Sequence, residues 1–87
     1  MQFDFPRFLT AMLAAFLECQ EDGANEDTPR LMMLDQPVAV RFAARRELRR
    51  QAKKQGANRR ERKRFIEANI KFAMESLARE VENSFKD

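Results

Sequence analysis

The residues of this chain that could do chemistry are its bases, which are concentrated in one segment. Between residues 41 and 64 the sequence has twelve Lys and Arg residues against two acids, a local net charge of +10. Nine of the twelve are arginines, whose planar guanidinium groups suit phosphates and carboxylates alike. We expect these side chains to bind a polyanion or an acidic partner. They are Arg41, Arg45, Arg46, Arg49, Arg50, Lys53, Lys54, Arg59, Arg60, Arg62, Lys63 and Arg64.

The flanks of this segment are acidic, so the overall charge of the chain hides it. Residues 1–40 carry a net charge of −5 and residues 65–87 carry −2, which leaves +3 for the whole chain. A surface that serves only solubility needs fewer charges, with the signs interspersed. Like charges this close repel each other in the free protein, and a negatively charged partner would relieve that repulsion. The pattern favours a binding function over a merely solvated surface.

Side chains for catalysis are scarce. The sequence has no His, Tyr or Trp and a single cysteine, Cys19, so neither a Ser-His-Asp arrangement nor a His/Cys zinc site can be assembled. The glycine motifs that cradle phosphates are missing. No carboxylate is expected on an apolar face, where burial would raise its pKa. Cys19 is expected to be a structural thiol. We predict a protein that is not an enzyme and has neither a metal nor another cofactor.

Composition predicts the class of protein. The 87 residues suffice for one helical domain, residues 1–87, and two Gly and three Pro favour long helices over a turn-rich β fold. One cysteine excludes an internal disulfide and fits a reducing compartment. No apolar run reaches the ~18 to 20 residues of a membrane span, and no basic region precedes the first apolar run as in a secretory signal. A cytoplasmic protein without a membrane partner is expected.

Periodicity and capping residues predict an all-α domain of three helices, at about residues 4–22, 36–55 and 59–85. In the first, apolar residues recur at steps of three and four, with Asp4 as N-cap and Phe3 packed on Phe8. This helix is expected to end near residues 22–23, with Gly23 as its left-handed cap, and to bury Leu13, so that Leu13→Asp should unfold the domain. A single helical turn is expected in the connector, after Thr28.

The second and third helices are predicted to form an antiparallel, strongly basic hairpin. A break at Gly56 is favoured over one continuous helix, with Asn58 and Glu61 as a capping box. The second helix can contact the core only along a narrow seam. The apolar residues of the two helices are Val40, Ala44, Leu48 and Ala52 in that seam, and Ile66, Ile70, Ala73, Leu77 and Val81 in the main stripe of the third helix.

Two phenylalanines of the third helix lie beside its main apolar stripe. Phe65 and Phe72 are seven residues apart and so share one flank of the helix. They either widen the core face or form a protein interface. In the second case a homodimer is expected, because an exposed apolar seam marks a contact surface.

Three classes of function fit these observations. Residues 59–64 resemble the arginine-rich helices that some RNA-binding proteins insert into structured RNA, a resemblance in composition that covers six residues. The first class is binding of DNA or RNA through the backbone with little base reading, since few stacking or amide side chains are present and only Phe42 and Phe65 border the segment. The second is an adaptor or inhibitor, as in regulators from phages or other mobile elements, that docks on an acidic protein surface or a nucleic-acid-processing enzyme. The third, a peripheral membrane module, is disfavoured because the basic helix has almost no apolar face.

Overall fold

The computed structural model describes residues 1–18 and 28–83, with the backbone alone at residues 28–31. Within these ranges the chain is all-α, as predicted. Its helices are α1 (Phe5–Glu18), α2 (Thr28–Asp35), α3 (Pro37–Lys54) and α4 (Arg59–Asn83). The structure adds α2 to the three expected helices, because the segment expected to form a single turn is a helix of eight residues. Cys19 and the predicted helix ends at Gly23 and Phe85 lie outside the described residues.

The start of α1 has the cap and the hydrophobic contact that the sequence predicts. The backbone N–H of Arg7 donates to Oδ1 of Asp4 at 3.1 Å, and the N–H of Phe8 donates to the carbonyl of Asp4 at 3.0 Å. The rings of Phe3 and Phe8 pack edge to face, with centroids 5.5 Å apart. Cap and staple together fix the direction in which the chain enters α1.

The end of α3 is a Schellman motif, which confirms the predicted break. Gly56 has a φ of +82°, a conformation that glycine adopts without steric cost. Its N–H donates to the carbonyl of Lys53 at 3.0 Å, and the N–H of Ala57 donates to the carbonyl of Ala52 at 3.1 Å. A continuous helix through Gly56 is therefore excluded.

The start of α4 is the predicted capping box. The N–H of Asn58 donates to Oε1 of Glu61 at 3.0 Å, and the N–H of Glu61 donates to Oδ1 of Asn58 at 2.9 Å. Only residues 55–58 separate α3 from α4, and the two helices pack on each other, so the chain reverses its direction at this turn.

The core lies between α1, α3 and α4, with α2 against all three. The most extensive packing is between α3 and α4, and α1 packs mainly on α3. The predicted stripes of α3 and α4 are buried, together with three side chains of α1 and one of α2. The buried apolar residues are Phe8, Met12, Phe16, Met32, Val40, Ala44, Leu48, Ala52, Ala57, Phe65, Ile66, Ile70, Ala73, Leu77 and Val81.

Two residues of the apolar face predicted for α1, Leu13 and Leu17, do not lie in the core, and Leu17 is 55% exposed. Leu13 is 38% exposed, whereas its neighbour Met12 is 1% exposed. Because α1 packs on α3 far more than on α4, only the narrow strip through Phe8, Met12 and Phe16 is enclosed. The expectation that Leu13→Asp unfolds the domain is therefore withdrawn, since a carboxylate at this position keeps contact with water.

The buried face of α3 is wider than the predicted seam. Glu47 and Gln51 are 6% and 4% exposed, next to the apolar residues of the seam. Glu47 borders a hollow together with Ala11 and Ala15 of α1, whose small side chains let the two helices approach. The expectations that α3 meets the core along one line and that no acid lies on a buried face are both wrong, because α1 covers this second side of α3.

The segment before α1 is held on α3 by two glutamine side chains. The amide of Gln51 accepts from the N–H of Asp4 at 2.9 Å and donates to its carbonyl at 3.0 Å. The amide of Gln55 makes the same pair of bonds with Gln2, both at 2.8 Å. Four residues of helix rise ~6 Å and two residues of extended chain span ~6.6 Å. The spacing of the two amides along α3 therefore matches the spacing of residues 2 and 4 along the extended segment. We call residues 2–4 the N-terminal strap.

Phe65 and Phe72 do not form a shared surface. Phe65 is 6% exposed and belongs to the core, so its assignment to a protein interface is wrong. Phe72 is 58% exposed, and its ring stands edge-on to that of Phe3 in the strap, with centroids 6.1 Å apart. The two side chains therefore have different surroundings, although they share one flank of α4.

Candidate functional site

The pairing of α3 with α4 brings seven of the twelve predicted bases to one concave surface. The hollow that this surface encloses between α3 and α4 has a volume of about 920 Å³. The contribution of α3 is a row of three bases one turn apart, and that of α4 is four bases from its first two turns. A single apolar residue, Ile66, completes the lining. We call this surface the basic cleft; its residues are Arg45, Arg49, Lys53, Arg59, Arg60, Arg62, Lys63 and Ile66.

The order of the lining residues follows from the antiparallel arrangement. Lys53 and Arg59 lie on either side of the turn, whereas Arg45 lies about three helical turns before it and Ile66 about two helical turns after it. The α4 bases are at the N-terminus of a long helix, where unpaired N–H groups already present about half a positive charge. The cleft therefore concentrates positive potential at the turn between the helices.

Neither acid of the basic segment neutralises the cleft. Glu47 is buried on the α1 side of α3, where Oε2 lies 3.8 Å from Nη1 of Arg50. Glu61 is engaged in the capping box, accepting from the N–H of Asn58. Among the described residues, no carboxylate lies within 4.0 Å of a base that lines the cleft. None of the bases that line the cleft is therefore in an ion pair with a carboxylate of this part of the chain.

One cleft residue has a structural bond of its own. Nη1 of Arg62 donates to the carbonyl of Ala57 at 3.1 Å, which ties α4 back to the turn. Arg62 is only partly exposed, whereas the other bases of the cleft are exposed. Its guanidinium group retains further donors, because one bond uses one of five N–H groups. Arg62 thus contributes to the shape of the cleft as well as to its charge.

The remaining five predicted bases lie outside the cleft. Arg46, Arg50 and Lys54 are on the opposite side of α3 and border shallow hollows against α1. Arg41 and Arg64 are exposed and do not line the cleft. The structure thus divides the predicted binding segment into one concave group of seven and a dispersed group of five.

An exposed apolar pair extends the outer face of α3 beyond the cleft. Phe42 is 72% exposed and Val38 is 81% exposed. Phe42 precedes Arg45 by three residues and Arg49 by seven, so the three side chains share one helix face. Phe42 lies near the start of the basic segment, and its spacing of three and seven residues from these arginines already indicates in the sequence that they share a helix face. Only the packing shows that the ring is left uncovered.

Other kinds of site find no support in the described residues. No three His, Cys, Asp or Glu side chains come together there as metal ligands. None of the described helices is both long enough and apolar enough to cross a bilayer.

Comparisons of the chain with protein-family models, curated proteins and solved structures give no match. Function must therefore be inferred from the geometry and charge of the basic cleft.

Proposed function

We propose that this chain is a small, non-catalytic protein of the cytoplasm that binds nucleic acid by holding its phosphate backbone in the basic cleft. One observation carries the proposal: seven bases line a single concave surface, and both acids of the basic segment are engaged elsewhere. The absence of histidine from the sequence and its single cysteine support a role without catalysis.

The charge of the cleft suits a ligand whose negative charges are closely and regularly spaced. Clustered bases on a concave protein wall focus the potential and raise the local concentration of anions. Nucleic acid supplies one phosphate per ~3.4 Å along each strand, so several Arg and Lys side chains of the cleft can each reach a phosphate. Binding would also relieve the repulsion between these bases in the free protein.

The composition of the cleft favours contacts to the backbone over reading of base edges. Its lining has no Asn or Gln to pair with adenine and no acid to pair with cytosine; it consists of arginine and lysine, which bind phosphates as well as guanine, and one isoleucine. Phosphate contacts fix the position of a protein on nucleic acid but carry no sequence information directly. We therefore expect affinity that depends strongly on salt and weakly on sequence.

The test is the salt dependence of binding by single alanine variants. Arg45→Ala, Arg49→Ala and Lys63→Ala each remove a base of the cleft, so each should lower affinity for every nucleic-acid sequence alike. Each should also reduce the slope of log affinity against log salt by ~1. Arg46→Ala and Arg64→Ala are matched controls, because they remove exposed bases of the same helices outside the cleft. They should change affinity and slope less.

The same variants identify the alternative, an adaptor or inhibitor that docks on an acidic protein. In such an interface two or three arginines would dominate as hot spots and the rest would be nearly neutral. Equal effects of cleft and control variants on nucleic-acid binding, or no salt-dependent binding by the wild-type protein, would overturn the proposal.

A further inference from the structure

We propose that the nucleic acid held in the basic cleft is single-stranded and that the ring of Phe42 stacks on one of its bases. This inference rests on the proposed function and adds to it the class of nucleic acid. It is carried by the exposure of Phe42 and by its position on the helix face that supplies Arg45 and Arg49.

Phe42 differs from the other described phenylalanines in having a free ring. At 72% exposure it has no aromatic neighbour among the described residues. Phe72, the other strongly exposed one, contacts the ring of Phe3. The rest are buried or half-buried: Phe3, Phe5, Phe8, Phe16 and Phe65. Phe42 is thus available as a stacking surface without any rearrangement of the core.

The position of Phe42 matches the path of a strand along the cleft. Side chains at i and i+3 of a helix are neighbours, with Cβ atoms ~5–6 Å apart, so the Phe42 ring adjoins Arg45. Arg49 lies ~10.5 Å from Phe42 along the helix axis, which is the length of about three stacked nucleotides. One strand can therefore place a base on Phe42 and its following phosphates on Arg45 and Arg49.

The chemistry of this face favours a single strand over a duplex. In a duplex the base faces are stacked in the interior, so a phenyl ring beside the phosphates would find no partner. A single strand offers flat base faces as well as phosphates, and aromatic side chains stack on them with little regard for sequence. Exposed Val38, one turn before Phe42, extends the apolar end of this face.

The test compares Phe42→Ala with Phe72→Ala on defined oligonucleotides. Phe72→Ala is the matched control, because it removes a strongly exposed phenyl ring from a residue that does not line the cleft. The probes are oligo-dT and oligo-U of about 15 nucleotides, within the range of known single-strand sites, and a duplex of equal length. Circular dichroism and urea unfolding check that both variants are folded.

Phe42→Ala should weaken binding to both single strands by about 5- to 150-fold, the range for loss of one stacked base, with the salt slope unchanged. Phe42→Trp should retain the affinity, and Phe72→Ala should bind like the wild-type protein. The duplex should bind more weakly than the single strands and should not respond to Phe42→Ala.

Two failures overturn the inference in distinguishable ways. If the protein binds oligonucleotides with a steep salt slope but Phe42→Ala has no effect, or weakens duplex and single strand equally, the stacking role is wrong and the proposed function stands. The ring would then be free for a protein partner. If neither single strand nor duplex shows salt-dependent binding, the proposed function fails, and the stacking role fails with it.

Discussion

The side-chain amide of Gln51 hydrogen-bonds the backbone of the N-terminal strap as both donor and acceptor. The pair of bonds resembles the one that a neighbouring strand makes in a β-sheet. It bonds both the N–H and the carbonyl of Asp4, the residue that also caps α1. Gln55 repeats the arrangement one turn later, at an exposed position. A single buried side chain thus connects the start of α1 to the end of α3, next to the turn that bears the cleft.

At this scale we predict that Gln51→Met destabilises the protein more than Gln55→Met. The first change leaves the N–H of Asp4 without its partner at a partly buried site, at a cost of about 1–3 kcal/mol, whereas the carbonyl of Asp4 keeps its bond from the N–H of Phe8. The second leaves the groups of exposed Gln2 free to bond water, so it should cost less than about 1 kcal/mol. Urea unfolding measures both. Equal losses would show that the Gln51 amide is no more important than a surface bond.

Among the elements, the turn between α3 and α4 decides whether the cleft exists. The Schellman motif ends one helix and the capping box starts the next within the four residues 55–58. If α3 and α4 were one helix, their bases would extend along a rod and could not face each other. The local geometry of Gly56 is therefore a condition for the proposed function.

We predict that substitutions at Gly56 act through its backbone conformation alone. A Cβ atom added there would meet no heavy atom within 4 Å, so a steric clash of an alanine methyl group with the rest of the fold does not contribute. Gly56→Ala should cost about 1 kcal/mol, because an L-residue is disfavoured at a φ of +82°. Gly56→Asn should cost less, since asparagine tolerates this conformation.

The matched control at Gly56 is D-alanine, introduced by chemical synthesis. It prefers positive φ and restricts the unfolded chain, so it should match or exceed the stability of the wild-type protein, by up to about 1 kcal/mol. Thermal unfolding compares the three variants. A loss with D-alanine as large as with L-alanine would contradict the conformational explanation.

On the scale of the whole molecule, positive and negative charges occupy different segments of the chain, and folding then brings many of the positive charges to one surface. The basic segment spans most of α3, the turn and the start of α4, while both flanks of the sequence carry net negative charge. Folding brings bases that are up to 18 residues apart, from Arg45 to Lys63, to one surface. The free protein therefore carries a repulsion that the unfolded chain largely lacks.

We predict that Arg49→Glu and Arg60→Glu stabilise the free protein at low salt while weakening nucleic-acid binding. Each places an acid among the cleft bases, and the carboxylate introduced by Arg60→Glu would also complement the N-terminus of α4, for a gain of about 0.3–1 kcal/mol. The gain should shrink at ~1 M salt, where charges are screened beyond ~3 Å. Thermal unfolding at two salt concentrations measures it.

The control for charge reversal is Arg79→Glu, an exposed base of α4 outside the cleft. Arg79 follows Glu75 by four residues, so reversing it replaces a favourable helix pair with a repulsive one. This variant should gain no stability and should bind nucleic acid nearly as well as the wild-type protein. A similar stabilisation by all three changes would contradict a repulsion that is specific to the cleft.

The sequence by itself determined those parts of the fold in which the contacting residues are close to each other along the chain. The Asp4 cap, the contact of Phe3 with Phe8, the break at Gly56 and the Asn58–Glu61 capping box all join residues three to five apart. The chemistry and geometry of such pairs are nearly the same in any protein, so their residue types suffice to predict them. The buried stripes of α3 and α4 follow likewise from helical periodicity.

Only the tertiary structure decided which side of each helix is covered and by what. Gln51 and Asp4 are 47 residues apart, and nothing near Gln51 in the sequence shows that the strap will lie there. The burial of Glu47 and the exposure of Leu13 likewise depend on where α1 packs, and the burial of Phe65 and the exposure of Phe42 depend on how the helices are arranged around them. Helical periodicity gives the direction of a side chain but not its neighbour. The division of twelve bases into seven in the cleft and five outside it is decided by that packing, because a base faces the cleft only where α3 and α4 face each other.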